Sequence, residues 1–243
     1  KMLAAACLTA IVASATGNAF LGIAGGVGAA VLLSLAHLVL TQAYRLDHIV
    51  SGMAINAFAL GATRFFYQRF EDASRGSEIP QVPLWLFYAA AAAVPLSLAW
   101  AVARTRWGLR LWAVGNDPDK SREAGVDPFR VRLGAMLLTG LFCGVAGALV
   151  VSNSGRFIDG MTAGKGFIAL AALILGGWRP VPALLACAMF GAFDAAQLVL
   201  QGSDLARAKS PSEFLNALPY IATLGAMAFA RGRTAAPSGM GKL

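Results

Sequence analysis

Charge is what this sequence has least of. Only 13% of its 243 residues are Asp, Glu, Lys or Arg, about half the share found in soluble domains. A water-facing surface on a chain of this length needs more charge than that, which argues against an ordinary cytosolic enzyme. Reactive side chains are scarce as well. The 3 cysteines, Cys7, Cys143 and Cys187, all sit inside apolar runs, so neither a disulfide framework nor a zinc cluster is expected. The 2 histidines, His37 and His48, form no H-E-x-x-H pattern, have no carboxylate pair beside them, and are not accompanied by a G-x-S-x-G elbow. The segment GMTAGKG at 160–166 is the nearest approach to a phosphate loop. It lacks the required spacing and the hydroxyl after Lys165 that would hold magnesium. No catalytic or metal-binding residues are therefore assigned, and no cofactor is expected in this chain.

What the sequence has in quantity is apolar side chains, at 58%. Crossing roughly 30 Å of hydrocarbon takes about 20 apolar residues in a helix, because the backbone must satisfy its own hydrogen bonds there. Eight stretches are candidates: 2–16, 20–43, 49–67, 84–103, 133–152, 166–177, 181–200 and 214–230. The first and sixth are short, which suggests a truncated first span and a broken or partly re-entrant sixth. The expected fold is an all-α polytopic transmembrane helical bundle of about seven or eight spans. It forms a single transmembrane domain over 1–232, followed by a tail at 233–243. Glycine recurs within the spans, with close pairs at Gly140/Gly144, Gly144/Gly147 and Gly25/Gly28. Tight helix packing is the expected use of such residues.

The net charge of +8 resides mostly in short loops rather than on one amphipathic face, so a nucleic-acid polymer is not the expected partner. One set of loops and the C-terminal tail carry 13 of the 20 Lys and Arg: Lys1, Arg45, seven in 104–132, Arg179, Arg231, Arg233 and Lys242. The other 7 are Arg64, Arg69, Arg75, Arg156, Lys165, Arg207 and Lys209. The bias places the 104–132 loop and the C-terminus in the cytoplasm.

That loop contains its own helix punctuation. Asn116 or Asp117 suits an N-cap, Pro118 the first turn, Asp119 the positive helix end, and Gly125 a stop. The pattern predicts a short surface helix at 117–124 bearing Lys120, Arg122 and Glu123. A loop that merely connects two spans needs no separate start and stop signals, so the helix reads as a knob for a soluble partner.

One acid stands inside a span. Asp194, Gln197 and Gln201 fall at i, i+3 and i+7 of the seventh stretch and so share a helix face. Polar groups at such depth normally face the bundle interior or a water-filled path. Ser51, Asn56, Asn153 and Ser154 add neutral groups, and such a set suits an uncharged, hydroxyl-rich solute better than an ion.

Three stretches carry a family resemblance: RLDHIVSGMAIN at 45–56, GLRLWAVGNDPDKSREAGVD at 108–127, and GMTAGKGFIALAALILGGWRPVPALLACAMFGAFDAAQLVLQ at 160–201. In motif order and spacing, from about residue 10 to about 230, the chain resembles the permease subunits of ABC importers of the branched-chain amino acid, ribose and simple-sugar group. It is most similar to the nucleoside and simple-sugar branch, and there to the second of two paired permeases. The resemblance implies an inner-membrane subunit paired with a like permease, as heterodimer or homodimer. It also implies cytoplasmic ATPase subunits that hold ATP and magnesium, and an extracytoplasmic substrate-binding protein. Residues 116–125 would be the coupling helix received by the ATPase, and the turn Gly177–Pro180 would be cytoplasmic. Relative to the family, the chain begins late, and its loop at 68–83 is short. The alternative is an ion-coupled carrier of a small polar solute, with Asp194 as the ion site.

Overall fold

The computed structural model describes residues 1–74 and 82–202. The eighth expected span (214–230), the C-terminal tail and part of the 68–83 loop lie outside the described residues. Among the described residues the chain is helical: α1 (Met2–Thr16), α2 (Ala19–Leu38), a π-helical turn (Val39–Ala43), α3 (His48–Ser74), α4 (Leu84–Arg104), α5 (Arg106–Asn116), α6 (Pro118–Glu123), α7 (Pro128–Ser154), α8 (Lys165–Leu175) and α9 (Pro180–Gly202). Among the described residues, five stretches are long and apolar enough to cross a membrane: Ala19–Ala43, His48–Phe70, Leu84–Arg104, Pro128–Ser154 and Pro180–Gln197. Helices α1 and α8 are apolar but shorter. Seven of the eight expected stretches are thus helical, and the all-α polytopic bundle is the observed class.

The boundaries follow local side-chain chemistry. Asn18 accepts hydrogen bonds from the backbone N–H groups of Phe20 and Leu21, at 2.9 and 3.4 Å, and starts α2 directly after Gly17 has ended α1. Asp47 does the same for α3 through Ile49 N–H, at 2.8 Å. Asp127 accepts from Phe129 N–H at 3.0 Å, and Pro128 follows it in the first turn. Each cap satisfies donors that the first turn leaves unpaired. The Asp127 cap is why α7 begins at Pro128 rather than at the expected residue 133. Arg130 and Arg132 belong to its first turns.

The chain divides into two compact units among the described residues: 1–90 with 109–163, and 91–108 with 164–202. In the first unit, α1, α2 and α7 meet across very small side chains. A methyl group at Gly144 would lie 2.5 Å from Val27 Cα, and one at Gly140 would lie 2.7 Å from Val31 Cα. One at Gly147 would lie 2.5 Å from the Met2 carbonyl oxygen. On the other side of α2, a methyl at Gly22 would lie 2.7 Å from Ala13 Cβ, and one at Gly26 would collide with Thr9 Oγ1. Lipid is as apolar as the helices themselves, so association relies on close backbone approach and van der Waals contact. Gly22 and Gly26 make the tightest part of the α1–α2 contact, and Gly25 joins them, a methyl there lying 3.0 Å from Val12 Cγ2. Gly28 meets nothing within 4 Å and does not serve the packing expected of it.

Helix α3 packs through the stripe Ser51, Ile55, Ala59 and Thr63, all buried at i, i+4 spacing. Beside it Leu3, Ala6, Cys7, Ala10, Val151 and Phe157 form a core, with the Tyr67 ring 4.8 Å from that of Phe157. In the second unit, α8 and α9 form a hairpin around Ala172, Ala186 and Phe190. Its turn is set by Gly177 in the left-handed region (φ 61°), whose N–H reaches Ile174 O at 3.0 Å. Trp178 N–H reaches back to Leu173 O at 3.1 Å. These two bonds satisfy the last carbonyls of α8. The sixth expected span is therefore a helix of 11 residues, about 16 Å long, too short to cross alone.

Candidate coupling helix and translocation path

Helix α6 has the start and stop that its sequence spells. Of the two expected caps, Asp117 is the one used. Its Oδ1 accepts from the N–H groups of Asp119 and Lys120 at 3.2 and 3.1 Å, while Asn116 closes α5. Ser121 Oγ donates to Asp117 O at 2.8 Å. The Lys120 backbone N–H, with the Lys120 ammonium 3.3 Å from Asp117 Oδ2, holds the Asp117 carboxyl below the usual carboxylate range. At the other end Gly125 is left-handed (φ 80°). Its N–H bonds Arg122 O at 3.0 Å, and Val126 N–H bonds Ser121 O at 2.9 Å, a stop in which a side chain at Gly125 would be strained. Pro118 and Ser121 are buried, whereas Asp119, Lys120, Arg122 and Glu123 point outward. The result is a short, stiff projection with mixed charge.

The segment 104–132 holds a second helix that its caps and stops did not announce. Residues 106–116 form the further helix α5. Thr105 caps it, its Oγ1 accepting from Gly108 N–H at 3.2 Å. The missed signal is the spacing of Trp107, Leu111 and Val114 at i, i+4, i+7, diluted by three nearby arginines.

The polar residues singled out within the spans fall in different surroundings. Ser51 is 1% exposed, with its hydroxyl 3.0 Å from His37 Nδ1. The His37 and His48 ring centroids are 6.0 Å apart. Asn56 lies off the buried stripe of α3 and is exposed, as are Asn153 and Ser154 at the end of α7. Asp194 is exposed on α9, its Oδ2 3.8 Å from Lys165 Nζ at the start of α8. Gln197 is one turn further and partly buried. Gln201 is the next position of the same face, and its side chain lies outside the described residues. A further cross-element contact was not foreseen: Arg132 Nη1 donates to Gln42 Oε1 at 2.6 Å, tying α7 to the π-helical turn after α2. No group of three metal-ligating side chains occurs among the described residues.

Five apolar helices of membrane-spanning length among the described residues, with a capped helix between the third and fourth of them in the chain, define a multi-pass helical membrane protein. Residues 1–227 match the family described as branched-chain amino acid transport system / permease component, and the chain belongs to that family. It is 34% identical over 232 residues to the nucleoside ABC transporter permease protein NupC of Lactococcus lactis, covering 86% of this chain and 73% of that protein. To the guanosine ABC transporter permease protein NupQ of Bacillus subtilis it is 31% identical, covering 91% and 76%. The L-arabinose ABC transporter permease protein AraH of Azospirillum brasilense is 25% identical over 68% of this chain and 50% of its own length. No solved structure gives a significant match. The chain is a permease subunit of an ABC importer.

Proposed function

We propose that this subunit lines the path of a nucleoside or simple sugar, and that it contains no ATPase site of its own. ATP and magnesium are held by cytoplasmic partner subunits that seat on α6. A second, like permease completes the path, most simply as a heterodimer, and an extracytoplasmic binding protein delivers the solute. The membrane is a bacterial-type inner membrane, with the 104–132 segment and the C-terminus on the cytoplasmic side.

The observation that carries this reading is the autonomy of α6. Asp117 starts it, Gly125 stops it, and Asp119, Lys120, Arg122 and Glu123 are left outward for a soluble partner. The similarity to permeases named for a nucleoside, for guanosine and for L-arabinose supports the solute class. Within the path we place Asn56, Asn153, Ser154, Asp194, Gln197 and Gln201, with Ser51 contributing through its hydrogen bond to His37.

The test is co-purification of the full-length protein with its cognate ATPase and second permease, followed by vanadate-sensitive uptake of labelled nucleosides and sugars in vesicles. Complex formation with ATP-dependent uptake is expected, and competing solutes then identify the cargo. Solute movement by this chain alone under a proton or sodium gradient would overturn the reading. Replacing Arg122 and Glu123 with alanine is expected to weaken ATPase association without affecting membrane insertion, and unchanged co-purification would remove α6 from the coupling role.

A further inference from the structure

Helix α5 has two outward surfaces of different chemistry. Its inward face is Trp107, Leu111 and Val114, the last 4% exposed. Leu109 and Trp112 lie one turn apart outside that face, 72% and 54% exposed. Arg106 and Arg110, also one turn apart and exposed, form a third strip. In water alone, a Leu and a Trp held outward side by side are unfavourable. In a bilayer interface this three-way division is what a helix lying flat requires: protein on one side, acyl chain on the next, headgroup on the third.

The position of α5 in the chain bears on what would cover it. Helix α4 is a membrane-length apolar helix that ends at Arg104, and α5 begins two residues later. Gly108 approaches the backbone of Val102 so closely that a side chain there would collide with it. The chain therefore turns sharply at Thr105 instead of continuing along the α4 axis. A helix that begins two residues after a membrane-length span starts at the level of the headgroups. Arg104 closes the span itself, and tryptophan is the side chain most at home at that level.

We propose that α5 is an interfacial anchor, with Leu109 and Trp112 inserted among acyl chains and Arg106 and Arg110 binding the phosphates of anionic phospholipid. The anchor rests on α4 crossing the bilayer and does not depend on α6 receiving an ATPase subunit. Lipid is favoured over a protein partner because the apolar pair stands beside a basic strip at the end of a span.

The test uses the assembled complex in native membranes, with the photoreactive p-benzoylphenylalanine in place of Trp112. A phospholipid adduct on this chain, read by mass spectrometry, is the expected product. Adducts to an ATPase subunit or to a second permease, or no lipid adduct when the same probe at Leu96 in mid-span yields one, overturn the proposal. In parallel, phosphatidylglycerol is titrated into the purified complex carrying Arg106→Gln and Arg110→Gln. Both side chains are exposed, so folding is retained, and loss of two surface arginines should weaken anionic lipid binding roughly thirtyfold. Unchanged phosphatidylglycerol affinity in that variant overturns the assignment of the basic strip. A failure confined to the Arg122/Glu123 variant would instead count against the coupling role of α6.

Discussion

Gly144 and Gly28 lie on helices of the same bundle and are chemically identical, yet only one is constrained. A side chain at Gly144 meets the Val27 backbone, whereas one at Gly28 meets nothing. Gly144→Val should cost about 1–3 kcal/mol by overpacking and lower the thermal midpoint in detergent, while Gly28→Ala should leave it unchanged. Gly125→Val meets no steric obstacle but forces a β-branched residue to a φ of 80°, a cost of roughly 1–2 kcal/mol that should appear as faster amide exchange across α6. Asp117 adds a pH dependence with a definite sign. Its carboxyl is depressed in the folded state, so the cap is intact above the ordinary carboxylate pKa and is lost as pH falls through the lower folded value. Protection of the Lys120 amide, corrected for intrinsic exchange, should hold from neutral pH down to about pH 4 and decline only below it. Decline beginning near pH 6 would contradict the observed hydrogen bonds.

At the level of the element, the sequence was most readable where one residue type has one conformational use. Asp117, Pro118 and Gly125 announced α6 to within a residue, because capping and left-handed turns depend on neighbours in the chain alone. Uninterrupted apolar stretches announced the spans for a similar reason. Helix α5 was hidden because its periodicity is shared with three arginines, and charge count outweighed spacing. The Gly22/Gly26 contact was hidden because which glycine pair faces a neighbour depends on helix rotation, which no local signal sets. The Lys165–Asp194 pair was also out of reach, since it joins α8 to α9 across their hairpin. Its consequence is testable at the same scale. Asp194→Asn leaves Lys165 without its carboxylate and should change uptake more than expression level. Equal uptake by the variant and the parent would return the pair to a purely structural part.

For the whole molecule, the described residues divide into two compact units. The first contains the glycine-packed α1, α2 and α7 with the α6 projection, and the second contains the short α8 and its partner α9. Arg132→Ala removes the contact from α7 to Gln42 and should lower ATP-dependent uptake while leaving insertion and ATPase association in place. Loss of association instead would assign Arg132 to the projection. Between Glu123 and Pro128 only four residues intervene, one of them in a fixed left-handed turn and another capping α7. So short and so fully hydrogen-bonded a connection has little slack to stretch. If α6 seats on an ATPase subunit as proposed, a push on it would pass through that short joint to the start of α7, the helix whose Gly140 and Gly144 meet Val31 and Val27, so that the joint would serve as a rigid link rather than a hinge.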